Sequence, residues 1–389
     1  MKTHEFRGNL IRALLLDTQA RQSRNTDTFR FPSDVKSRVL CSLTGRALDL
    51  LKPLGLTLRN PRIVESADAL CHTVEHLAWL EQFHALLADE ASRQMLVELL
   101  RYRVLGSRHV KLSTNNERYW RLARAVEGRY RKAKRVATVG TWPLDRYELP
   151  GTRGPLVLEA HPMNILNTFL LEQYAYRVGS ARVQAMPGET VIDAGGCWGD
   201  TALYFSDRVG ATGAVHVFEF CRANLDVLRR NLKLNPALAP AVHLYEQAVW
   251  DESSQTIDYS EDGPGTRLHA PSSTGTTDRT VTVTIDDFVR HNALSRVDLI
   301  KMDIEGAEAP ALRGAVETLR AFRPKLAISL YHRPDDFVVI PRHLAGLDLG
   351  YQWFLGHATI HHEETVLFGS PPGRKVTDIA VPRPRISRS

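Results

Sequence analysis

Apolar residues recur at helical spacing through the first third of the chain. From Ala67 to Leu87 they fall at Leu70, Val74, Leu77, Leu80, Phe83 and Leu87, which predicts an amphipathic helix. A second helix is predicted from about Asp89 to Leu105, on Met95, Leu96, Leu99, Leu100 and Val104, with Gly106 as its C-terminal stop. Residues 1 to about 150 therefore read as mainly helical, and Trp142-Pro143 and Pro150-Gly151 mark the expected boundary. Beyond it the pattern changes to short apolar runs alternating with helical ones. Val191-Ile192 precedes a glycine-rich turn and a helix over Thr201–Val209, and Val215–Phe218 precedes a helix over Ala223–Leu234. Strands are predicted at Val242–Val249, Val281–Ile285, Val297–Met302 and Leu326–Leu330, with a helix over Ala309–Phe322 between the last two. Tyr351–Leu355 and Thr365–Phe368 fit an antiparallel pair. Alternating strand and helix implies an α/β fold with a mainly parallel sheet covered on both faces.

Composition narrows this reading only a little. Among 389 residues, 43% are hydrophobic and 24% charged, which supports a sizeable core and excludes wholesale disorder. Cys41, Cys71, Cys197 and Cys221 show no CxxC or CxxH pairing, so neither a disulfide scaffold nor a structural zinc is expected. No run approaches the roughly 20 apolar residues that span a bilayer, and Leu10–Leu16 is broken by Arg12. No signal peptide is read, and the expected location is cytoplasmic. The tail, residues 371–389, holds four prolines and five basic residues and is expected to be mobile.

The net charge of +6 predicts no partner, but its distribution is uneven. Residues 101–135 carry a local excess of ten positive charges, which leaves the remainder at −4. Such a run suits nucleic acid, an anionic membrane surface or an acidic substrate, yet a solvated helix face is the commoner explanation. Tyr119, Trp120 and Tyr130 interleave with it, but no RNA-binding or zinc-finger pattern accompanies them.

The most informative segment is Val191-Ile192-Asp193-Ala194-Gly195-Gly196-Cys197-Trp198-Gly199-Asp200-Thr201. A strand ends near Asp193, the glycines make a tight turn, and a helix opens near Asp200. In a doubly wound sheet this turn lies at the ligand-binding edge. The second strand ends in Glu219, 26 residues after Asp193, where a carboxylate can accept hydrogen bonds from both hydroxyls of a ribose. The glycine spacing is Gly195-x-x-x-Gly199, not that of a dinucleotide fingerprint. A carboxylate at Asp193 also suits an amino group and a sulfonium better than a pyrophosphate. S-adenosyl-L-methionine is therefore the expected cofactor, with a nicotinamide dinucleotide as the rival. Asp193, Gly195, Gly196 and Gly199 are assigned to its methionine side, Glu219 to ribose, and Gln247 and Ala248 to adenine. Gln173 and Tyr174 are candidates to cover cofactor or substrate.

At this point the chain resembles a known family. Glu172-Gln173-Tyr174, Gly188–Gly195, Gly199–Phe205, Phe218-Glu219, Asp298–Glu308 and Arg323–His332 together are similar to the FkbM-type methyltransferases, over roughly residues 165–370. The resemblance implies a Rossmann-like class I methyltransferase fold of seven strands, the last antiparallel. It also implies O-methylation, commonly of sugars, glycans or polyketides. Phe220, where the family more often has proline, and Cys197-Trp198 depart from the pattern. Leu87–Arg93 resembles extensions on glycan-linked members, a weaker match.

Methyl transfer to an alcohol is mainly a positioning task, with a base or metal to take the hydroxyl proton. Asp303, at the end of the fourth strand, can meet a methionine amino group, the hydroxyl or a metal, or it can simply cap the next helix. Glu305 either faces the site or sits favourably in a helix first turn. Glu308 reads as a helix residue. His332, ending the fifth strand after Tyr331, is the candidate general base, with His357 second and His361 and His362 behind. Asp303, Glu305 and His332 are the expected catalytic residues. Their donors suit Mg²⁺, but no spacing is diagnostic and no metal site is expected. The domains expected are 1–150, a helical region for acceptor docking; 151–370, the cofactor-binding domain; and the tail. The expected function is O-methylation of a sugar, glycan or polyketide metabolite. Nucleic-acid methylation and non-catalytic binding are the alternatives. The partner expected is that acceptor, with no nucleic acid and no integral membrane association; homo-oligomerisation is left open.

Overall fold

The computed structural model describes residues 2–17, 61–269 and 278–373. The tail from residue 374 onward and Cys41 lie outside them. The chain divides into two compact units, one of residues 1–123 with 359–363, the other of 124–358 with 364–389. The division falls inside a helix well before the expected boundary at 150.

The first unit is helical: α1 (Lys2–Asp17), α2 (Pro61–Glu75), α3 (Leu77–Leu86), α4 (Glu90–Leu105) and the start of α5 (Glu117–Ala125). Helix α1 packs on α3 and α4 through Phe6 and Leu10, against a core that includes Leu80, Phe83, Leu96 and Leu99. The helix predicted over Ala67–Leu87 is broken at His76, which has non-helical backbone angles. The Asp89 side chain caps α4 by accepting from Ser92 N–H, and Gly106 ends it with positive φ. Both features match the sequence pattern.

The second unit opens with three antiparallel strands where helix was predicted: β1 (Arg131–Val139), β2 (Trp142–Gly151) and β3 (Gly154–Ala160). A π-helical turn over Ile165–Leu171 and a small hairpin, β4 (Tyr176–Val178) and β5 (Ala181–Val183), lead into the main sheet. Its elements are β6 (Thr190–Ala194), α6 (Asp200–Val209), β7 (Ala214–Phe218), α7 (Arg222–Leu234) and β8 (Val242–Tyr245). A four-stranded insert follows: β9 (Ala248–Val249), β10 (Thr256–Ser260), β11 (Arg267–His269) and β12 (Asp278–Val283). The chain then continues through α8 (Ile285–His291), β13 (Leu299–Met302), α9 (Glu308–Arg313), α10 (Val316–Phe322), β14 (Lys325–Ser329), α11 (Asp336–Gly346), β15 (Gln352–His357) and β16 (Thr365–Ser370). The seven-stranded order is β15-β16-β14-β13-β6-β7-β8, and only β16 runs antiparallel to its neighbours. This is the class I methyltransferase architecture that the resemblance implied.

Two predicted runs divide in the structure. Val242–Val249 is two strands in two sheets, because β9 leaves β8 and pairs in parallel with β12. Ala309–Phe322 is two short helices separated at Gly314, where an added Cβ would lie 2.3 Å from Trp250 O.

Alternation along the central strands buries both faces of the sheet. Val215 and Val217 join Ala202, Phe205 and Val209 on one face. His216 and Phe218, between and after them, pack edge-on against Phe288 of α8 on the other. The β1–β3 sheet is fastened to α7 by two asparagines. Asn231 Oδ1 accepts Glu159 N–H at 2.7 Å and its Nδ2 donates to Glu159 O at 2.9 Å; Asn235 repeats this with Val157 N–H and O. The match is geometric: four residues of helix advance about 6 Å, and two residues of strand about 6.6 Å. Trp198, fully buried, fills the space between this sheet and the glycine turn beside Leu144 and Val227. Among the described residues no helix is long and apolar enough to cross a membrane.

Candidate active site

The parallel strands β6, β7 and β13 end at one edge, and the site is built there. Gly195 and Gly196 N–H both donate to Phe218 O, which pulls the turn onto the end of β7. Gly195 has φ of 89°, and a Cβ there would lie 1.9 Å from Asp303 O, so the turn also rests on the loop after β13. Cys197, with φ of 42°, and Gly199 complete the reversal into α6.

Beside the turn is a crevice of about 510 Å³, part of it open to solvent. Gly195, Glu219, Gln247, Ala248, Asp303 and Glu305 all line it, so six of the expected site residues meet in one place. Asp193, Gly196, Gly199 and His332 do not line it. Asp193 is fully buried behind the turn, 2.9 Å from Lys301 Nζ and accepting from Thr201 Oγ1 at 2.7 Å. Gly196 and Gly199 pack under the turn against Val217 and Leu228.

Glu219 is buried, and its Oε1 accepts Phe220 and Cys221 N–H, each at 2.8 Å. Oε2 lies 3.5 Å from Asn224 Nδ2, and the Cys197 backbone N–H also hydrogen-bonds this carboxylate. Burial pushes this carboxyl up to about 7 despite the backbone donors. Asn224 Oδ1, also buried in the crevice wall, has no partner among the described residues.

Asp303 is the hub of the other wall. Tyr174 OH donates to Oδ2, Tyr331 OH lies 3.0 Å from Oδ1 and 3.2 Å from Oδ2, and His332 Nε2 is 3.2 Å from Oδ1. Burial opposes its charge, but His332 and then Lys301 hold the carboxyl well below its usual range. Burial and the neighbouring carboxylates raise both phenols, so Tyr174 and Tyr331 remain donors. His332 sits 2.8 Å through Nδ1 from Glu308 Oε1, and its Nε2 is 3.5 Å from Glu305. Burial alone would lower its pKa; the Glu308, Asp303 and Glu305 carboxylates raise it well above the ordinary histidine value. Glu308, read as an ordinary helix residue, instead turns back to accept Ile304 and Gly306 N–H, and so shapes the 303–308 loop. Glu305 has φ of 55° and is paired with Arg267 at 3.4 Å.

Lys301 was overlooked as a functional residue. It is 1% exposed, donates to Ala194 O and Gly195 O, and lies over the Tyr174 ring. A lysine inside the apolar run Leu299-Ile300-Lys301-Met302 was the available signal. His357 Nδ1 is 2.9 Å from Thr365 Oγ1 at the base of the β15–β16 pair. His361 and His362 belong to the segment grouped with the first unit.

Asp303, Glu308 and His332 stand close enough to surround a cation. Both Glu308 oxygens already accept backbone N–H groups, whereas His332 Nε2 makes no hydrogen bond among the described residues.

Residues 178–353 match the family model of the methyltransferase FkbM domain. No curated protein matches the sequence. Among solved structures, a methyltransferase FkbM from Methylobacillus flagellatus KT is similar at 18% identity and a TM-score of 0.48, covering 77% of this chain. The match spans 60% of that structure's own length. A fibrillarin from Aeropyrum pernix in complex with natively bound S-adenosyl-L-methionine is 13% identical, with a TM-score of 0.32, covering 60% of this chain and 98% of that one. An O-methyltransferase from Bacillus cereus in complex with SAH is 11% identical, with a TM-score of 0.32, covering 53% and 79%.

Proposed function

We propose, from the premise that residues 178–353 form a methyltransferase FkbM domain, that this chain is an S-adenosylmethionine-dependent O-methyltransferase acting on a hydroxyl of a sugar, glycan or polyketide metabolite. The observation that carries the reading is Glu219: a buried carboxylate at the end of β7 that lines the crevice beside the glycine turn. It fits the two hydroxyls of a ribose, and the orphaned Asn224 Oδ1 beside it fits one further donor. Three acids line the crevice, Glu219, Asp303 and Glu305, and no basic side chain is among its lining residues. That balance suits a ligand bearing an ammonium and a sulfonium. When bound, S-adenosylmethionine supplies an activated methyl group.

The chain's own residues then have three tasks. The glycine turn, braced on Phe218 O and Lys301, fixes the backbone against which the ligand rests. Asp303 receives the acceptor's proton. It has about four lone-pair positions and accepts from Tyr174 and Tyr331, which leaves room for a hydroxyl. Its low basicity is no obstacle if the proton leaves as the new C–O bond forms, since a methylated hydroxyl is far more acidic than a carboxylic acid. The phenols hold Asp303 still while it does so.

Titration calorimetry of the full chain with S-adenosylmethionine tests the reading. Binding is expected, and Glu219→Ala should weaken it by about tenfold to a hundredfold. No binding heat at millimolar ligand would sink it. Metabolite mass spectrometry with and without the protein then reads out the acceptor, as a species differing by one methylene.

A further inference from the structure

We propose that His332 and the loop after β13 form a binding site for a divalent transition-metal ion, with His332 Nε2, Asp303 and Glu305 as ligands and Glu308 as the support behind the ring. Binding of the ion needs nothing from the proposed function; only its use toward an acceptor rests on that reading.

The two ring nitrogens have different surroundings. Nδ1 lies 2.8 Å from Glu308 Oε1, a contact that keeps a proton on Nδ1 and leaves the lone pair of the neutral ring at Nε2. Glu308 is itself anchored, since its oxygens accept Ile304 and Gly306 N–H. A carboxylate that holds one imidazole nitrogen so that the other can ligate is the usual outer partner of a metal-bound histidine. Nε2 belongs to a side chain only 3% exposed and makes no hydrogen bond among the described residues. Two carboxylate oxygens nevertheless converge on it, Asp303 Oδ1 at 3.2 Å and Glu305 Oε1 at 3.5 Å.

Distance and direction both suit an ion. Asp303 Oδ1 is near enough to Nε2 for a hydrogen bond and makes none with it, so it lies to one side of the line along which an Nε2–H would point. Ligands of a single cation stand in that way. With metal–ligand bonds of about 2.1 Å, adjacent donors lie about 3.0–3.5 Å apart, and each is about 35–45° off the other's bond to the metal. A proton on Nε2 supplies charge without that direction, and it leaves when the ion binds. Both carboxylates keep an oxygen for the purpose. Tyr174 takes Asp303 Oδ2, and Tyr331 is shared between the two Asp303 oxygens. Arg267 faces Glu305 Oε2, which leaves Oε1 toward the ring.

The donors also select the ion. One imidazole with two carboxylates suits Mn²⁺ or Zn²⁺, whereas Mg²⁺ prefers an all-oxygen octahedron and gives up its waters reluctantly. Asp303 and Glu305 line the crevice, so the ion's remaining positions open onto it. There it would take the acceptor hydroxyl and weaken that group's hold on its proton.

The test is binding of the metal alone to the full chain after treatment with a chelator. MnCl₂ is titrated with free Mn²⁺ read by electron paramagnetic resonance, and ZnCl₂ is titrated in the calorimeter. One ion per chain at micromolar affinity is expected, weakened about tenfold to a hundredfold in His332→Ala and in Glu305→Gln. If His332→Ala does not fold, Mn²⁺ added to the unaltered chain should broaden the His332 and Tyr331 ring signals in NMR before those of other histidines. No binding at millimolar metal, an unchanged affinity in either folded variant, or first broadening at another histidine would overturn the proposal. Donor binding without metal binding removes this site and leaves the proposed function; metal binding without donor binding does the reverse.

Discussion

At Gly195 the backbone of one loop rests on the backbone of another. The positive φ and the carbonyl of Asp303 exclude any side chain, so Gly195→Ala should abolish donor binding and lower stability, measurable by calorimetry and by urea unfolding. The sequence showed this glycine, and Glu219, because both follow from a strand–turn–helix order. It did not show what Asp193 does. That carboxylate is consumed by Lys301 on a strand more than a hundred residues later, and only the pairing of β6 with β13 brings them together. Lys301→Ala leaves Asp193 buried and unpaired, and should cost about 3–5 kcal/mol in chemical denaturation. His332 was legible as the end of a strand, but its surroundings were not, since the carboxylates beside it come from a separate loop.

Among elements, the regular ones were legible and the irregular ones were not. The strands and helices of β6–α6–β7–α7 repeat a period that the chain spells out. The three strands at 131–160 were hidden, because the charged run before Trp142 masks their alternation and β1 is largely solvent-facing. The split between β8 and β9 was likewise hidden, since an apolar run does not say which sheet it joins. Helix α7 carries a sharper lesson: its asparagines reach out to a strand. Asn231→Ala would strand the N–H and C=O of Glu159 and the C=O of Trp198 in a buried site. The expected loss is about 2–4 kcal/mol by urea denaturation, with disorder spreading through β1–β3 before the main sheet.

For the molecule as a whole, two of the buried groups tie stability to pH in the same direction. Glu219 titrates near 7 in the folded chain and near 4.5 unfolded, so the folded state binds the extra proton in that window and stability falls as pH rises through it. His332 is raised above its ordinary value, so its contribution is complete below about 6.5 and is lost at higher pH, as the folded ring deprotonates. Both point the same way: thermal unfolding of the free protein should occur at lower temperature at pH 8.5 than at pH 6. Donor binding should run oppositely, tightening as pH rises through about 7, because the ribose contact needs the Glu219 carboxylate. Thermal shifts with and without S-adenosylmethionine at several pH values check both signs together. The amide pairs that Asn231 and Asn235 form along the outer margin of β3 carry a further consequence. That margin offers no open peptide groups at Val157 and Glu159, so it cannot recruit a foreign strand there. Loss of either asparagine would leave peptide groups without partners beneath α7, and a foreign strand could reach them only once that helix had come away.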